Sequence, residues 1–170
     1  MSSPTDALFN QVGQISALAT ICEIKMRILA DNNQVLTRLA HAQKLEEVEN
    51  GIIAAFKKHL STDEIERLKT GRVVRNKILH GNFEAASAKM SELEGAQLTK
   101  PSGSVLDLTS GEIRDIGSKP IKSSSIFEWL LALGSNRFMP TAMDTLQKNI
   151  GTIERLLEQS SKKEIEAEPI

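Results

Sequence analysis

The sequence predicts an all-α fold, a bundle of about five to six helices with a small β-hairpin inserted ahead of the C-terminal helices. Two observations favour helices. Aromatic residues are scarce, with five Phe, one Trp and no Tyr in 170 residues, so the core must be built mostly from aliphatic side chains. Apolar residues also recur at spacings of three and four over long stretches, which is typical of amphipathic helices.

Length and composition indicate one domain. A chain of 170 residues buries roughly two thirds of the surface that it exposes when unfolded, and 40% hydrophobic with 25% charged residues is typical of soluble proteins. We expect residues 1–160 to form this domain and residues 161–170 to be a disordered charged tail. The chain has no secretory signal pattern and no long apolar run, so we expect a cytoplasmic protein without membrane contact.

The first part of the chain predicts two helices. Thr5 or Asp6 can cap a long first helix that ends near Asp31-Asn32-Asn33. A second helix is expected to begin there, because apolar residues continue at helical spacing from Val35 to Val48. Asn50-Gly51 then predicts a break or kink before a further apolar run.

A capping-box pattern marks the next helix. Ser61 stands three residues ahead of Glu64, so a helix should start at Thr62. Its first apolar residues are out of phase with those that follow, and the change falls at Thr70-Gly71. We therefore expect a kink or a break there, with the segment beyond it starting afresh.

The composition changes between residues 96 and 125, where Pro, Gly, Ser and Thr rule out a long helix. Within this insertion, Val105–Leu108 and Glu112–Ile116 predict the two strands of a β-hairpin. A hairpin alone is marginally stable, so it should lean on the bundle or pair with another chain.

Helices are predicted on both sides of this insertion. One runs from Asn82 to Gly95, and a short apolar one covers Ile126–Leu133. The last helix begins at Pro140 and continues through Leu157 with the clearest apolar stripe in the chain.

The most informative stretch runs from Gly71 to Phe83. It places Arg75 in the middle of an apolar helical face, between Ile78 and Leu79. A buried guanidinium is unfavourable by several kcal/mol unless it is paired, so an arginine in this position indicates an anion or a partner. His80 follows five positions later. The two side chains are about 140° apart on one helix, so they converge only around a cleft or across a two-fold axis.

A structural interpretation of the same residues stands beside this one. A histidine in the last turn of a helix complements the helix dipole. An arginine can extend its charged end to water along an apolar stem. On that interpretation Arg75 and His80 stabilise the bundle and carry no chemistry.

The string Arg75-Asn76-Lys77-Ile78-Leu79-His80-Gly81 resembles the signature of the HEPN superfamily. That signature is an arginine, a polar residue directly after it and a histidine four to six residues further on, commonly followed by glycine. The resemblance implies an all-α bundle, typically dimeric. Many HEPN proteins are metal-independent endoribonucleases of toxin, anti-phage and RNA-processing systems, whereas others have lost activity and serve as binding modules.

The resemblance also implies a role for each motif residue. His80 would act as general base or acid, Arg75 would hold the scissile phosphate and Asn76 would orient one of them. Histidine suits proton transfer near neutral pH, and the arginine fork matches phosphate oxygens. Arg72 and Lys77 are further candidates for phosphate contacts. No metal and no cofactor is expected.

The charge around the motif is compatible with an RNA partner. Although the chain has a formal net charge of −1, the segment from Lys57 to His80 holds seven Lys or Arg against three Asp or Glu. The expected partners are RNA and a second copy of the chain, with room for an antitoxin or regulatory protein in a toxin-antitoxin or phage-defence system. Two alternatives stay open: an inactive HEPN-like dimerisation, protein- or RNA-binding module, and an unrelated helical regulator.

Overall fold

The computed structural model describes residues 4–79, 104–107, 112–115 and 138–170. These residues are mostly helical, which confirms the all-α class. None of the described helices is long and apolar enough to cross a membrane. In chain order the elements are α1 (Pro4–Asp31), a 3-10 turn (Thr37–Leu39), α2 (Leu45–Ala55), a second 3-10 turn (Lys57–His59), α3 (Thr62–Leu79), β1 (Ser104–Asp107), β2 (Glu112–Asp115) and α4 (Phe138–Ser161).

The chain contains two compact units. The single domain expected over residues 1–160 stays a prediction. Of the described residues, the first unit holds residues 4–17, 73–79, both strands and residues 138–144. The second unit holds residues 18–72 and 145–170. Helices α1, α3 and α4 therefore each contribute residues to both units.

The second unit contains an aliphatic core, as the scarcity of aromatic residues predicts. Side chains from α1, α2, α3 and α4 bury together, and Phe56 is an aromatic member of the cluster. Burial of such side chains from water is the main force that holds the helices together. The largest contributions come from Leu29, Leu36, Ile52, Phe56, Leu68 and Leu156, all of which are almost fully buried.

Helix α1 ends at Asp31, as predicted, but the helix expected to follow it does not form. The chain instead makes turns and a 3-10 turn before α2 begins at Leu45. The prediction was wrong because bonds from side chains to backbone carbonyls compete with helix formation here. Asn33 Nδ2 donates to Leu29 O over 2.7 Å and caps the end of α1, while Arg27 Nη1 donates to the carbonyls of Ala40 and Ala42 over 2.9 Å each.

Helix α2 runs without interruption through Asn50-Gly51, so the predicted break is wrong. Gly51 is buried, and a Cβ atom at this position would meet the side chain of Leu39 and lie 3.4 Å from Cδ2 of Leu36. The glycine therefore serves close packing of the 3-10 turn on α2.

The predicted capping box is confirmed at the start of α3. Glu64 N donates to Ser61 Oγ over 3.1 Å, and Ser61 N donates to Glu64 Oε2 over 2.8 Å. Helix α4 joins the same group, since Arg155 Nη2 and Thr152 Oγ1 donate to Glu64 Oε1 over 2.8 and 3.3 Å. Glu64 therefore links the start of α3 to α4.

Helix α3 continues through Thr70-Gly71, so the expected break is also wrong. Gly71 is buried, and a Cβ atom there would meet Asn149 Nδ2 and lie 3.5 Å from Leu146 Cδ2. Asn149 uses the space to donate from Nδ2 to Arg67 O over 2.9 Å. The absence of a side chain at Gly71 thus lets α4 approach α3 closely.

The two strands pair antiparallel, with Val105 opposite Arg114 and Leu106 opposite Ile113. The predicted turn between them, at residues 109–111, lies outside the described residues, so the hairpin as a whole stays a prediction. The helices predicted over residues 82–95 and 126–133 also lie outside the described residues.

Helix α4 contains the predicted stripe and is followed by a segment that returns to the bundle, where the sequence predicts a disordered tail. Helix α4 ends in a left-handed turn, with Lys163 at a φ of 57°, and residues 164–170 continue from it. We call residues 164–170 the strap. Within it, Glu168 N donates to Ala55 O over 2.8 Å, while Ile165 and Ala167 pack against the core.

Substitution of Gly71 tests the close approach of α4. Gly71→Ala should lower the free energy of unfolding by about 1–3 kcal/mol, because the new methyl displaces Asn149 from the carbonyl of Arg67. Gly151→Ala is the matched control, since nothing lies within 4 Å of that position. It should raise stability by about 0.5–1 kcal/mol through helix propensity. Urea denaturation gives both values, and shifts of the same sign would contradict the interpretation.

Acid denaturation tests the role of Glu64. Burial raises the pKa of this carboxyl group, but hydrogen bonds from Ser61 and Arg155 outweigh it and hold the pKa below 4.5. Because the folded-state pKa lies below the unfolded one, the stabilisation is complete above about pH 4.5 and is lost as pH falls through the folded value. Wild-type protein should thus exceed Glu64→Gln in stability at pH 7 and lose that advantage on acidification.

Urea denaturation between pH 7 and pH 3 measures this difference. Glu66→Gln removes an exposed acid from the same helix and is the control for a change in net charge. A gap between wild type and Glu64→Gln that stays constant down to pH 3 would show that the carboxylate does not carry the effect.

Candidate functional site

The first five residues of the motif, 75–79, lie in the last turns of α3, within the first unit. Val74 and Ile78 are fully buried on this segment, whereas Arg75 and Asn76 are half-buried beside them. Val74 and Ile78 therefore mark the buried side of this segment, and Arg75, which the sequence places in the middle of the inward face, is only half-buried beside them.

Arg75 is oriented by the residue that follows it. Its Nη1 donates to Asn76 Oδ1 over 2.7 Å. An amide oxygen is neutral, so this bond fixes the guanidinium and leaves its positive charge uncompensated by Asn76. Arg75 Nε is buried and has no hydrogen-bond partner among the described residues. Among the described residues, Arg75 is thus held by a neutral amide and keeps one buried donor without a partner.

Arg72, one turn earlier and in the second unit, has a different environment. Its side chain is 18% exposed, with Nε 3.1 Å from Glu49 Oε1 and Nη2 3.3 Å from Glu46 Oε1. Two carboxylates from α2 therefore face this one guanidinium, and a phosphate would have to compete with both. The ion pairs connect α2 to α3, and the phosphate contact predicted for Arg72 stays a prediction.

Glu49 is the buried member of this group, with 1% of its side chain exposed. Burial raises the pKa of its carboxyl group, and the hydrogen bond and charge of Arg72 oppose that rise. Glu49 Oε2 is buried without a hydrogen-bond partner among the described residues. Arg72 therefore compensates a carboxylate that the core would otherwise hold unpaired.

The sequence-based reasoning missed Glu49 and Asn149. Glu49 lies on the apolar stripe of α2, one residue after Val48 and three before Ile52. Asn149 is likewise a buried polar residue on the apolar stripe of α4. A polar residue on an inward helical face is the pattern that singles out Arg75. The same pattern marks Glu49 and Asn149.

Two of the predicted site residues lie beyond what the structure describes. The side chain of Lys77 and the whole of His80 lie outside the described residues. The convergence of Arg75 and His80 and their arrangement across a dimer axis stay predictions.

Other chemistries find little support in the described part of the chain. Burial, with the charges of Glu49 and Glu23, raises the pKa of the Cys22 thiol to about 12, so Cys22 is a poor nucleophile. No three His, Cys, Asp or Glu side chains gather there in a group that could hold a metal ion.

No family model, no curated protein and no solved structure matches this chain. The resemblance to the HEPN superfamily therefore depends on the motif residues and on the helix that carries them.

Removal of Arg72 tests its structural role. Arg72→Ala should lower the free energy of unfolding by about 3–5 kcal/mol, because it leaves Glu49 buried without its partner. The double variant Arg72→Met/Glu49→Leu replaces the pair with apolar side chains of similar volume and should regain most of that loss. Glu46→Ala, which removes an exposed carboxylate, should change stability by about 1 kcal/mol or less. Urea denaturation gives all three values.

The same double variant separates a structural role from an RNA contact. If Arg72 serves only the fold, the salt dependence of RNA binding by Arg72→Met/Glu49→Leu should equal that of the wild type. Loss of a phosphate contact would instead reduce the slope of log K against log salt concentration by about 1. That result would assign Arg72 to the RNA surface.

Proposed function

We propose that this protein is a metal-independent endoribonuclease of the HEPN type, which cleaves single-stranded RNA. The observation that carries the proposal is the state of Arg75: it is half-buried, oriented by the neutral amide of Asn76, and left with a buried Nε that has no partner among the described residues. A buried cationic donor without a partner is unfavourable for folding alone, and an anionic substrate would satisfy it.

The proposed reaction uses the 2′-hydroxyl of RNA as the nucleophile. His80 accepts the hydroxyl proton, the 2′-oxygen bonds to the adjacent phosphorus, and the bond from phosphorus to the 5′-oxygen breaks. The departing oxygen takes up a proton, and the products are a 2′,3′-cyclic phosphate and a free 5′-hydroxyl. Arg75 stabilises the negative charge that builds on the phosphoryl oxygens.

Asn76 is the positioning residue in this scheme. Its bond to Arg75 Nη1 is the contact that fixes the guanidinium. Fixing a cation before substrate arrives reduces the reorganisation that the reaction requires. An aspartate in its place would keep a similar shape but would set a negative charge against the arginine.

The active form in this proposal is a homodimer. On one straight helix Arg75 and His80 would be about 140° apart, and a two-fold axis would allow the arginine of one copy to meet the histidine of the other. The biological setting proposed is a toxin-antitoxin or phage-defence system, with an antitoxin or regulatory protein as a further partner.

An RNA-cleavage assay in the presence of a chelator tests the proposal. Purified protein should cut single-stranded RNA and leave 2′,3′-cyclic phosphate ends. His80→Ala and Arg75→Ala should each reduce the rate by roughly 100-fold or more, with the fold intact by circular dichroism. Arg38→Ala and His41→Ala, which change exposed residues of the same types, are the matched controls and should leave the rate unchanged.

Asn76 provides a graded arm of the same assay. Asn76→Asp should be slower than Asn76→Ala, because it neutralises Arg75 as well as altering its position. Cleavage that survives both Arg75→Ala and His80→Ala would contradict the catalytic assignment. RNA binding without cleavage, lost in Arg75→Ala, would favour the inactive RNA-binding module.

A further inference from the structure

The strap forms a compact set of contacts with one surface of the second unit. Besides the bond from Glu168 N to Ala55 O, the carboxylate of Glu168 pairs with Lys58 in the turn that follows α2. Ala55 is the last residue of α2, so its carbonyl has no partner within the helix and the strap supplies one. We call this surface, formed by Gly51, Ala55 and Lys58, the acceptor surface.

The side chains of the strap alternate in the way that an extended segment requires. Ile165 and Ala167 pack against the core, whereas Glu164 and Glu166 between and before them are exposed. Further along, Cδ1 of Ile170 lies 3.8 Å from a Cβ atom built on Gly51. Glu168 pairs with Lys58 in the turn Lys57-Lys58-His59, so the charge of the strap complements the acceptor surface at this point.

A single strained residue connects the strap to α4. Lys163 N donates to Ser160 O over 3.1 Å and Glu164 N donates to Gln159 O over 2.9 Å, which is the Schellman pattern of a helix end. That pattern requires a left-handed residue, usually glycine, and here Lys163 holds it at a φ of 57°. A side chain in this conformation disfavours the closed turn by roughly tenfold relative to glycine.

We propose that the strap exchanges between two copies of this chain, so that each copy places residues 164–170 on the acceptor surface of the other. A second copy carries the identical segment, so every contact made within one chain is available between two. Exchange also releases Lys163 from its left-handed conformation in both copies. Within one chain, the strap meets the acceptor surface at a high effective concentration. Exchange between two chains competes with this closure, so it increases with protein concentration. The inference is independent of RNA cleavage.

Carbodiimide cross-linking of an isotope mixture tests the exchange in the full chain. This reagent joins a lysine to a carboxylate that touches it, so it links Lys58 to Glu168 without any substitution. Equal amounts of ¹⁵N-labelled and unlabelled protein are mixed, cross-linked and digested, and the linked peptides are weighed. Closure within one chain gives linked peptides of uniform label, whereas complete exchange gives mixed label in about one half of them.

The expected result is a mixed-label fraction that rises with protein concentration between roughly 10 and 500 μM. Lys163→Gly removes the strain of the left-handed turn without exchange. It should therefore lower the mixed-label fraction severalfold at a fixed protein concentration. Lys163→Val, whose branched side chain disfavours the left-handed turn further, should raise it. Ala167→Asp removes an apolar contact of the strap and should reduce links of both kinds.

Three outcomes would overturn the proposal. Linked peptides of uniform label alone, in wild type and Lys163→Val at every concentration, would show that the strap only closes on its own chain. Equal mixed fractions in Lys163→Gly and Lys163→Val would show that the hinge does not govern exchange. Absence of any link between Lys58 and Glu168 in the wild type would remove the docked strap itself. Because only Lys58 and Glu168 are linked, association of copies through the motif helix does not by itself produce a mixed-label peptide.

Discussion

The close packing of α3 on α4 at Gly71 is the constraint on which the second unit depends. A helix position without a side chain lets Asn149 reach the carbonyl of Arg67, and Asn149 itself is almost fully buried. Two turns nearer the start of α3, Glu64 accepts hydrogen bonds from Arg155 and Thr152 of α4. Directional polar contacts at both levels fix the relative register of the two helices, which apolar packing alone specifies less tightly.

The same helix is tied to α2 by charge. Arg72 meets Glu49 in the interior and Glu46 near the surface, so α3 is attached on two sides by bonds that need a defined geometry. A buried ion pair is weak support for stability, because removal of two charges from water offsets most of their attraction. The ion pair mainly determines the orientation of α3 relative to α2, since any other orientation of α3 would leave Glu49 charged and unpaired.

The sequence predicts interactions between residues that are close in the chain, but not interactions between residues that are far apart in it. The capping box at Ser61 and the stripe of α4 depend on residues three and four apart, and both predictions are confirmed. The glycines at positions 51 and 71 were interpreted as helix breakers because their local preference is clear, whereas their partners, Leu39 and Asn149, come from other elements. No pattern within α2 or α3 reveals such a partner.

The contacts of the strap with the bundle were not predicted, for a related reason. The composition of the strap is charged and lacks large apolar residues apart from two isoleucines, which indicates disorder. The strap is held by side chains that face inward at every second position over only a few residues. It is also held by its bond to the carbonyl at the end of α2, which has no partner within the helix. The bond between Arg75 and Asn76, by contrast, joins neighbours in the sequence, so it lies within the range that a local pattern covers.

Two arginines one turn apart on α3 therefore have different partners among the described residues. A phosphate that approaches Arg72 meets a cation already balanced by two carboxylates, and it must displace one of them or accept their repulsion. Arg75 has a neutral amide as its hydrogen-bond partner, and its buried Nε has no partner among the described residues. Fixing a charge without neutralising it is the condition for preorganised stabilisation of an anion.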